Sequence, residues 1–224
     1  MIEREQDMTE SAATESQFII KTFPVGPLQC NCSIIGDKLL GRTLVIDPGG
    51  DANQILTLLK QLELQVVAII HTHAHLDHIL AAGEIKKATG APIYLHRSDQ
   101  FLWDMVDQQC QQFGLPSVSL PNPDHELHDD QDLSCCGGVV IHTPGHTPGS
   151  VSFWFEEYKT LVAGDTLFLG GVGRTDFPGG SFEQIQTSIK ERIYSLDEDA
   201  VVVTGHGPNT RIGDEKTTNN FVRA

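Results

Sequence analysis

From His71 to His78 the sequence reads HTHAHLDH, which places four of the chain's ten histidines and one carboxylate within eight positions. Neutral imidazoles crowd together favourably when a cation holds them, because each then spends a lone pair that would otherwise need another partner. His73 and His75, two residues apart, cannot share a helix face, but an extended or looped segment can aim both inward. Asp77 and His78 then open a following helix and approach from a second direction. The same arrangement recurs downstream. VVIHTPGH sets His146 in a proline- and glycine-flanked turn, LVAGD sets Asp165 after a glycine, and VVVTGHG sets His206 between Gly205 and Gly207. Each time an apolar run stops at a bend that glycine eases, and one metal-type ligand follows.

Five imidazoles (His73, His75, His78, His146, His206) and two carboxylates (Asp77, Asp165) are too many for one tetrahedral ion and suit two divalent ions. The set contains no cysteine, so zinc is the first choice, with iron or manganese also compatible. A single histidine such as His96 or His142 is better read as a surface or core residue. Four segments sharing one design are not. His71 fits a supporting or packing role, and His125 and His128 fall in a proline-rich, solvated loop.

Two dications beside one water leave hydroxide available at neutral pH, a nucleophile suited to an acyl carbonyl. No Ser-His-Asp or Cys-His set stands at motif spacing. A thioester suits such a site because a thiol, with a pKa of about 8.5, departs without a strong general acid. Two dications less Asp77, Asp165 and hydroxide leave a local charge of about +1, which accepts a small anionic substrate. Arg174, in GVGRTDF, either holds a substrate carboxylate or pairs with Asp176 to brace its loop.

The elements that must position these residues follow from periodicity. QFIIKTF, CSIIG, RTLVI, QVVAII and PIYLH read as strands, and so do GVVIHTP, SVSFWFE, KTLVAG and AVVVTG. Ile55, Leu58, Leu59 and Leu62 mark a helix over 52–62. Further helices are expected over 76–88, over 98–114 with Ser98 as N-cap, and from Phe182 to Ile193; residues 115–130 read as loop. Strands in two runs with interspersed helices predict two packed sheets with helices outside.

The chain has 224 residues, 39% hydrophobic and 20% charged, with a formal charge of −15. Nothing supplies a basic stripe, so nucleic acid and anionic membranes are excluded as main partners. Five cysteines show no disulfide rhythm and suit a reducing cytoplasm; Cys30 and Cys32 read as small buried hydrophobes, and vicinal Cys135 and Cys136 as packing. Residues 1–17 form a polar tail without a signal-peptide core, no run approaches the roughly 20 apolar residues of a membrane span, and 18–224 read as one domain.

His73-Ala74-His75-Leu76-Asp77-His78, with His146, Asp165 and His206, resembles the H-x-H-x-D-H signature of the metallo-β-lactamase superfamily. GDTLFLGGVGRTDFPGG and TPGHTPGSVSFW are similar to the glyoxalase II-like hydrolases, especially their short bacterial form. The resemblance implies an α/β fold, an αβ/βα four-layer sandwich with a dinuclear site at one edge of the sheets. It implies that His73, His75 and His146 hold the first metal, that Asp77, His78 and His206 hold the second, and that Asp165 bridges them. Asp77 and Asp165 would then be the carboxylates nearest the chemistry, and Arg174 would occupy the place of a cation that contacts glutathione. The implied reaction is hydrolysis of a thioester such as S-D-lactoylglutathione to a 2-hydroxy acid and a thiol. Long glyoxalase II enzymes carry a C-terminal helical domain that forms much of the glutathione site; this sequence ends shortly after His206, which leaves the thiol half open. The alternative is a persulfide dioxygenase of the same fold, with one iron on residues like His73, His146 and Asp165. A secreted β-lactamase lacks the bridging aspartate, RNA-processing members need basic surface, and a non-catalytic module would have lost ligands.

Overall fold

The computed structural model describes residues 17–223, so the expected polar tail, apart from Gln17, lies outside the described residues. Six strands build the first sheet in chain order: β1 (Phe18–Val25), β2 (Cys30–Asp37), β3 (Arg42–Ile46), β4 (Gln65–Ile70), β5 (Ile93–His96) and β6 (His125–Leu127). β1 to β3 pair antiparallel and β3 to β6 parallel. The second sheet draws on β7 (Gly138–His142), β8 (Val151–Phe155), β9 (Thr160–Gly164), β12 (Val201–Thr204) and β13 (Thr210–Arg211), in the order β13-β12-β9-β8-β7. Only β12 and β9 run parallel there. A hairpin of β10 (Leu167–Phe168) and β11 (Gly171–Val172) stands apart.

The strands are apolar on both faces because both faces are covered. Leu44, Ile46, Ala68 and Ile70 of the first sheet meet Val140, Phe153, Phe155, Val162 and Val203 of the second in the central core. Their neighbours point the other way. Val45 and Ile69 pack under Ile55 and Leu59 of α1 (Ala52–Leu62) and Ile85 of α3 (Ala82–Thr89). Leu161, Ala163 and Val202 pack under α6 (Phe182–Ser188), the wider π turn Ile189–Ile193 and α7 (Ile212–Thr218). Alternation along each strand thus produces the four layers that were expected.

The helix expected over 76–88 is instead α2 (Leu76–Ile79) followed by α3. The Ala81 amide donates to Pro48 O (2.9 Å) rather than continuing the helical ladder. The Asp47-Pro48-Gly49-Gly50 bend presses on α2 so closely that a Cβ on Gly49 would run into Asp77 O. The helix expected over 98–114 is a 3₁₀ turn (Arg97–Asp99), α4 (Gln100–Asp104) and α5 (Val106–Gln112), broken where the Met105 amide is shared between Phe101 O and Leu102 O. Ser98 does not cap it: His96 Nδ1 accepts the Ser98 amide, and Ser98 lies inside the turn. Further departures from the reading are β6, within the expected loop and paired to β5, the β10–β11 hairpin, and β13 with α7 after it. No helix among the described residues is long and apolar enough to cross a membrane.

Candidate metal centre

All seven predicted ligands meet at one edge of the sandwich. The bend after β4 carries His73, His75, Asp77 and His78; the bends after β7, β9 and β12 carry His146, Asp165 and His206. Ligand atoms of His73, His75 and His146 lie within 4.8 Å of one another, and so do those of Asp77, His78 and His206. His75 Nδ1 and His146 Nε2 are 2.9 Å apart. Asp165 stands between the two trios, with Oδ1 3.4 Å from His78 Nε2 and Oδ2 3.5 Å from His146 Nε2. His206 Nε2 is 3.0 Å from Asp77 Oδ2.

The donor set fits cations on its own geometry. His73 Nε2, His78 Nε2 and Asp165 Oδ1 are buried without a hydrogen-bond partner. Leaving such an atom unpaired costs about 1–3 kcal/mol, and three of them converging at one point are accounted for by a bound cation. The opposite ring nitrogens are held. His78 Nδ1 donates to Asp47 Oδ2 (3.0 Å), and His146 Nδ1 donates to Arg174 O (2.7 Å). His73 Nδ1 donates to Thr72 Oγ1 (3.1 Å), which in turn donates to Asp47 Oδ2 (2.6 Å). Each bond selects the tautomer whose Nε2 lone pair faces the site.

Burial keeps His73 and His75 in the ligating form. It pushes His73 well below the ordinary histidine range, helped by the charges of neighbouring imidazoles, and it takes His75 down to about 3, with His146 as the next cause. Burial also disfavours charge on His78 and Asp165, but their neighbours outweigh it. Acidic groups around His78, Cys30 and Asp77 foremost, hold its proton on well above the usual range; the imidazoles of His78, His146 and His206 hold Asp165 below the carboxylate range. His78 thus sits where positive charge is favoured, and Asp165 is held as the anion.

Several supporting residues escaped the sequence reading. Asp47 reads as part of a turn, yet it is buried and also accepts the Thr72 amide at 2.7 Å. Asp99 accepts the Ala74 amide (3.1 Å), the Thr147 hydroxyl (2.7 Å) and the Gly149 amide (2.6 Å), tying the His73–His75 bend to the His146 turn. The Gln109 side chain donates to Ala74 O and Leu102 O and accepts the Leu76 amide. Cys30, which could be a metal ligand in sequence but reads rather as a small buried hydrophobe, places Sγ 3.3 Å from His78 Nδ1. Asn31 donates from its side chain to Thr204 O and Gly207 O, clamping the His206 bend to the first sheet. One signal was available: Asp47 ends an apolar strand just as Asp165 does. His71 supports the site without facing it, with Nδ1 donating to His78 O (3.1 Å) and its ring edge-on to Trp103. His125 and His128 are exposed, and His96 and His142 stack on each other away from the centre.

A cavity of about 480 Å³ opens over the ligands, with α4 and α5 as its far wall. Arg174 lies on its rim. Of its two expected roles the structure contains the brace: Nε and Nη2 donate to the two Asp176 oxygens at 3.0 and 2.8 Å, and the guanidinium sits 4.2 Å from the Phe177 ring centre.

The family model described as the metallo-beta-lactamase superfamily matches residues 25–206. A Haemophilus influenzae protein named hydroxyacylglutathione hydrolase GloC is 37% identical over 209 residues, covering 92% of this chain and 98% of that one. A Bacillus subtilis protein named probable metallo-hydrolase YqgX is 36% identical over 208 residues, covering 90% and 96%. Among solved structures, BLEG-1, described as a B3 metallo-beta-lactamase, is 36% identical with a TM-score of 0.85 over 92% of this chain and all of that one. TTHA1623, described in a di-iron-bound form, is 36% identical with a TM-score of 0.84 over 90% of this chain and 100% of that one.

Proposed function

The chain belongs to the metallo-β-lactamase superfamily and is a metallo-hydrolase of that group, and from that premise we propose that it is a two-metal thioester hydrolase of the glyoxalase II kind. It acts on thioesters such as S-D-lactoylglutathione, releasing a 2-hydroxy acid and a thiol. The observation that carries the reading is the presence of two complete ligand trios with Asp165 between them. His73, His75 and His146 would hold one ion, Asp77, His78 and His206 the other, and Asp165 would contact both; zinc is the first expectation, with iron or manganese compatible.

When bound, two such ions supply an acidified water as nucleophile and positive charge for the carbonyl oxygen. The chain's own residues do the rest. Among the described residues lining the cavity there is no serine, cysteine or lysine, so hydrolysis through a serine or cysteine acyl-enzyme has no candidate there. The Asp77 carboxylate lines the cavity 3.0 Å from His206 Nε2 and would help to hold the second ion there. Phe177 lies edge-on to His75 and His146 and keeps bulk solvent from that side. No residue is needed to protonate the leaving group, because a thiolate departs readily. Five unpaired cysteines suit the cytoplasm as the working compartment.

The dioxygenase alternative uses one iron and leaves the Asp77–His78–His206 trio without a task; its completeness favours two metals. The test follows free thiol release from S-D-lactoylglutathione anaerobically, before and after chelation, beside elemental analysis. Two first-row ions per chain and chelator-sensitive, oxygen-independent release are expected. One iron with oxygen-dependent turnover would move the assignment to the dioxygenase, and turnover of a β-lactam alone would move it to the activity named for BLEG-1.

A further inference from the structure

The cavity wall facing the metal ligands has a composition that bears on the substrate. Its upper part comes from α4, α5 and the residue after each: Leu102, Met105, Gln108, Gln112 and Phe113. Met105 and Phe113 are 37% and 51% exposed, large apolar side chains left in water at the lip of a cavity. Gln108 and Gln112 stand one helical turn apart on the same wall and offer uncharged amides. Leu28 and Phe168 continue the apolar lining opposite.

Positive charge is scarce there. Residues 98–158, which include the whole of this wall, contain no lysine or arginine, while Asp104 and Asp107 flank it. Among the described residues that line the cavity, Arg174 is the sole lysine or arginine, and Asp176 already occupies its fork. Both partners are about two-thirds exposed. Gripping a substrate carboxylate would exchange one carboxylate for another in the same wet setting, which yields little net binding. Apolar contact with Met105 and Phe113 has no such offset, since it removes surface from water outright.

We propose, resting on the thioester reading above, that the site selects its substrate by an uncharged thiol arm, apolar and amide-bearing in the manner of pantetheine, in preference to the glutathione arm. Glutathione also carries amides, but it brings two carboxylates, for which this wall provides no lysine or arginine. The 2-hydroxyacyl half lies at the metal ligands in either case, so the preference resides in the thiol half and reads out mainly in KM.

The test keeps the acyl group constant. The metal-reconstituted protein is assayed with S-lactoyl-pantetheine and S-lactoyl-glutathione at matched ionic strength. The pantetheine thioester is expected to have the higher kcat/KM, by on the order of tenfold. Phe113→Ser should erode that advantage by raising KM for the pantetheine thioester more than for the glutathione thioester, and Gln112→Lys should shift the ratio toward glutathione. Metal content, measured alongside, should stay constant in both variants. A glutathione thioester turned over equally well or better, with Arg174→Ala selectively raising its KM, would overturn the inference and leave the hydrolase reading in place. Failure of both thioesters with a full metal complement would overturn the two together.

Discussion

The two halves of the chain bring ligands to the same place and secure them in different ways. The bend after β4 delivers His73, His75, Asp77 and His78 together, and buried side chains hold it: Asp47 through His78 and Thr72, Asp99 through Ala74, and Gln109 through Ala74 and Leu76. The second half delivers His146, Asp165 and His206 singly, on separate turns that carry contacts of their own and are tied to the first half by the Asp99 and Asn31 side chains. His146 donates to Arg174 O, the His206 carbonyl accepts from Thr204 Oγ1 at 2.7 Å, and the Gly205 amide donates to Gly164 O at 2.8 Å. The reason is spacing. Four ligands within six residues leave no backbone free to fold around each one, so polar side chains from elsewhere must do it. A lone ligand after a strand can be fixed by its own turn, provided the neighbouring residues are small enough for the turns to touch.

That contrast can be broken at its tightest point. A Cβ on Gly205 would run into Asp165 Oδ1, and one on Gly173 would run into Asp165 O. Gly205→Ala is therefore expected to have the largest effect, displacing Asp165, emptying at least one metal position and costing about 1–3 kcal/mol of stability from overpacking. Elemental analysis and thermal melts check it; a variant with full metal content would show that the C-terminal turns tolerate more than contact distance implies. Asp47→Asn comes next. It keeps the shape but removes the carboxylate that orients His78, and metal affinity should fall by roughly 10–100-fold with modest loss of fold stability. Titration against a chromophoric chelator measures this, and unchanged affinity would mean that Cys30 or the backbone orients His78 instead.

Gln109→Leu removes three hydrogen bonds around Ala74, Leu76 and Leu102 and strands their buried backbone groups, at a cost of about 1–3 kcal/mol read from denaturant unfolding. The loss should be larger without metal than with it, because bound ions hold the same bend; equal losses would separate Gln109 from the site. The smallest effect belongs to the exposed Arg174–Asp176 pair. Arg174→Ala should leave the melting temperature almost unmoved and metal content alone, since solvent screens the pair and the contact His146 uses is a backbone carbonyl.

The sequence by itself pointed to the seven candidate ligands that the fold brings together, the two-sheet architecture and the strands that end at the site. Those signals are local: an apolar run stops, a glycine bends the chain, and a ligand type that needs a partner stands exposed at the bend. It also carried helix α1 to its residue limits, because Ile55 and Leu59 repeat with helical period on a face the sheet covers. What only the tertiary structure decided depends on groups that meet from distant positions. Asp47 looks like a turn residue and Asp99 like part of a helix's first turn until the bend and the β5–α4 junction bring Thr72, Ala74, Thr147 and Gly149 to them. The helix after the histidine cluster breaks at Ala81 because Pro48 O, more than thirty residues away, competes for its amide, and no helical propensity encodes that competitor. Arg174 illustrates the same limit, since its two roles were equal in sequence. The folded loop set Asp176 within bidentate reach and Phe177 beneath the guanidinium, a geometry that residue order allows and only packing selects.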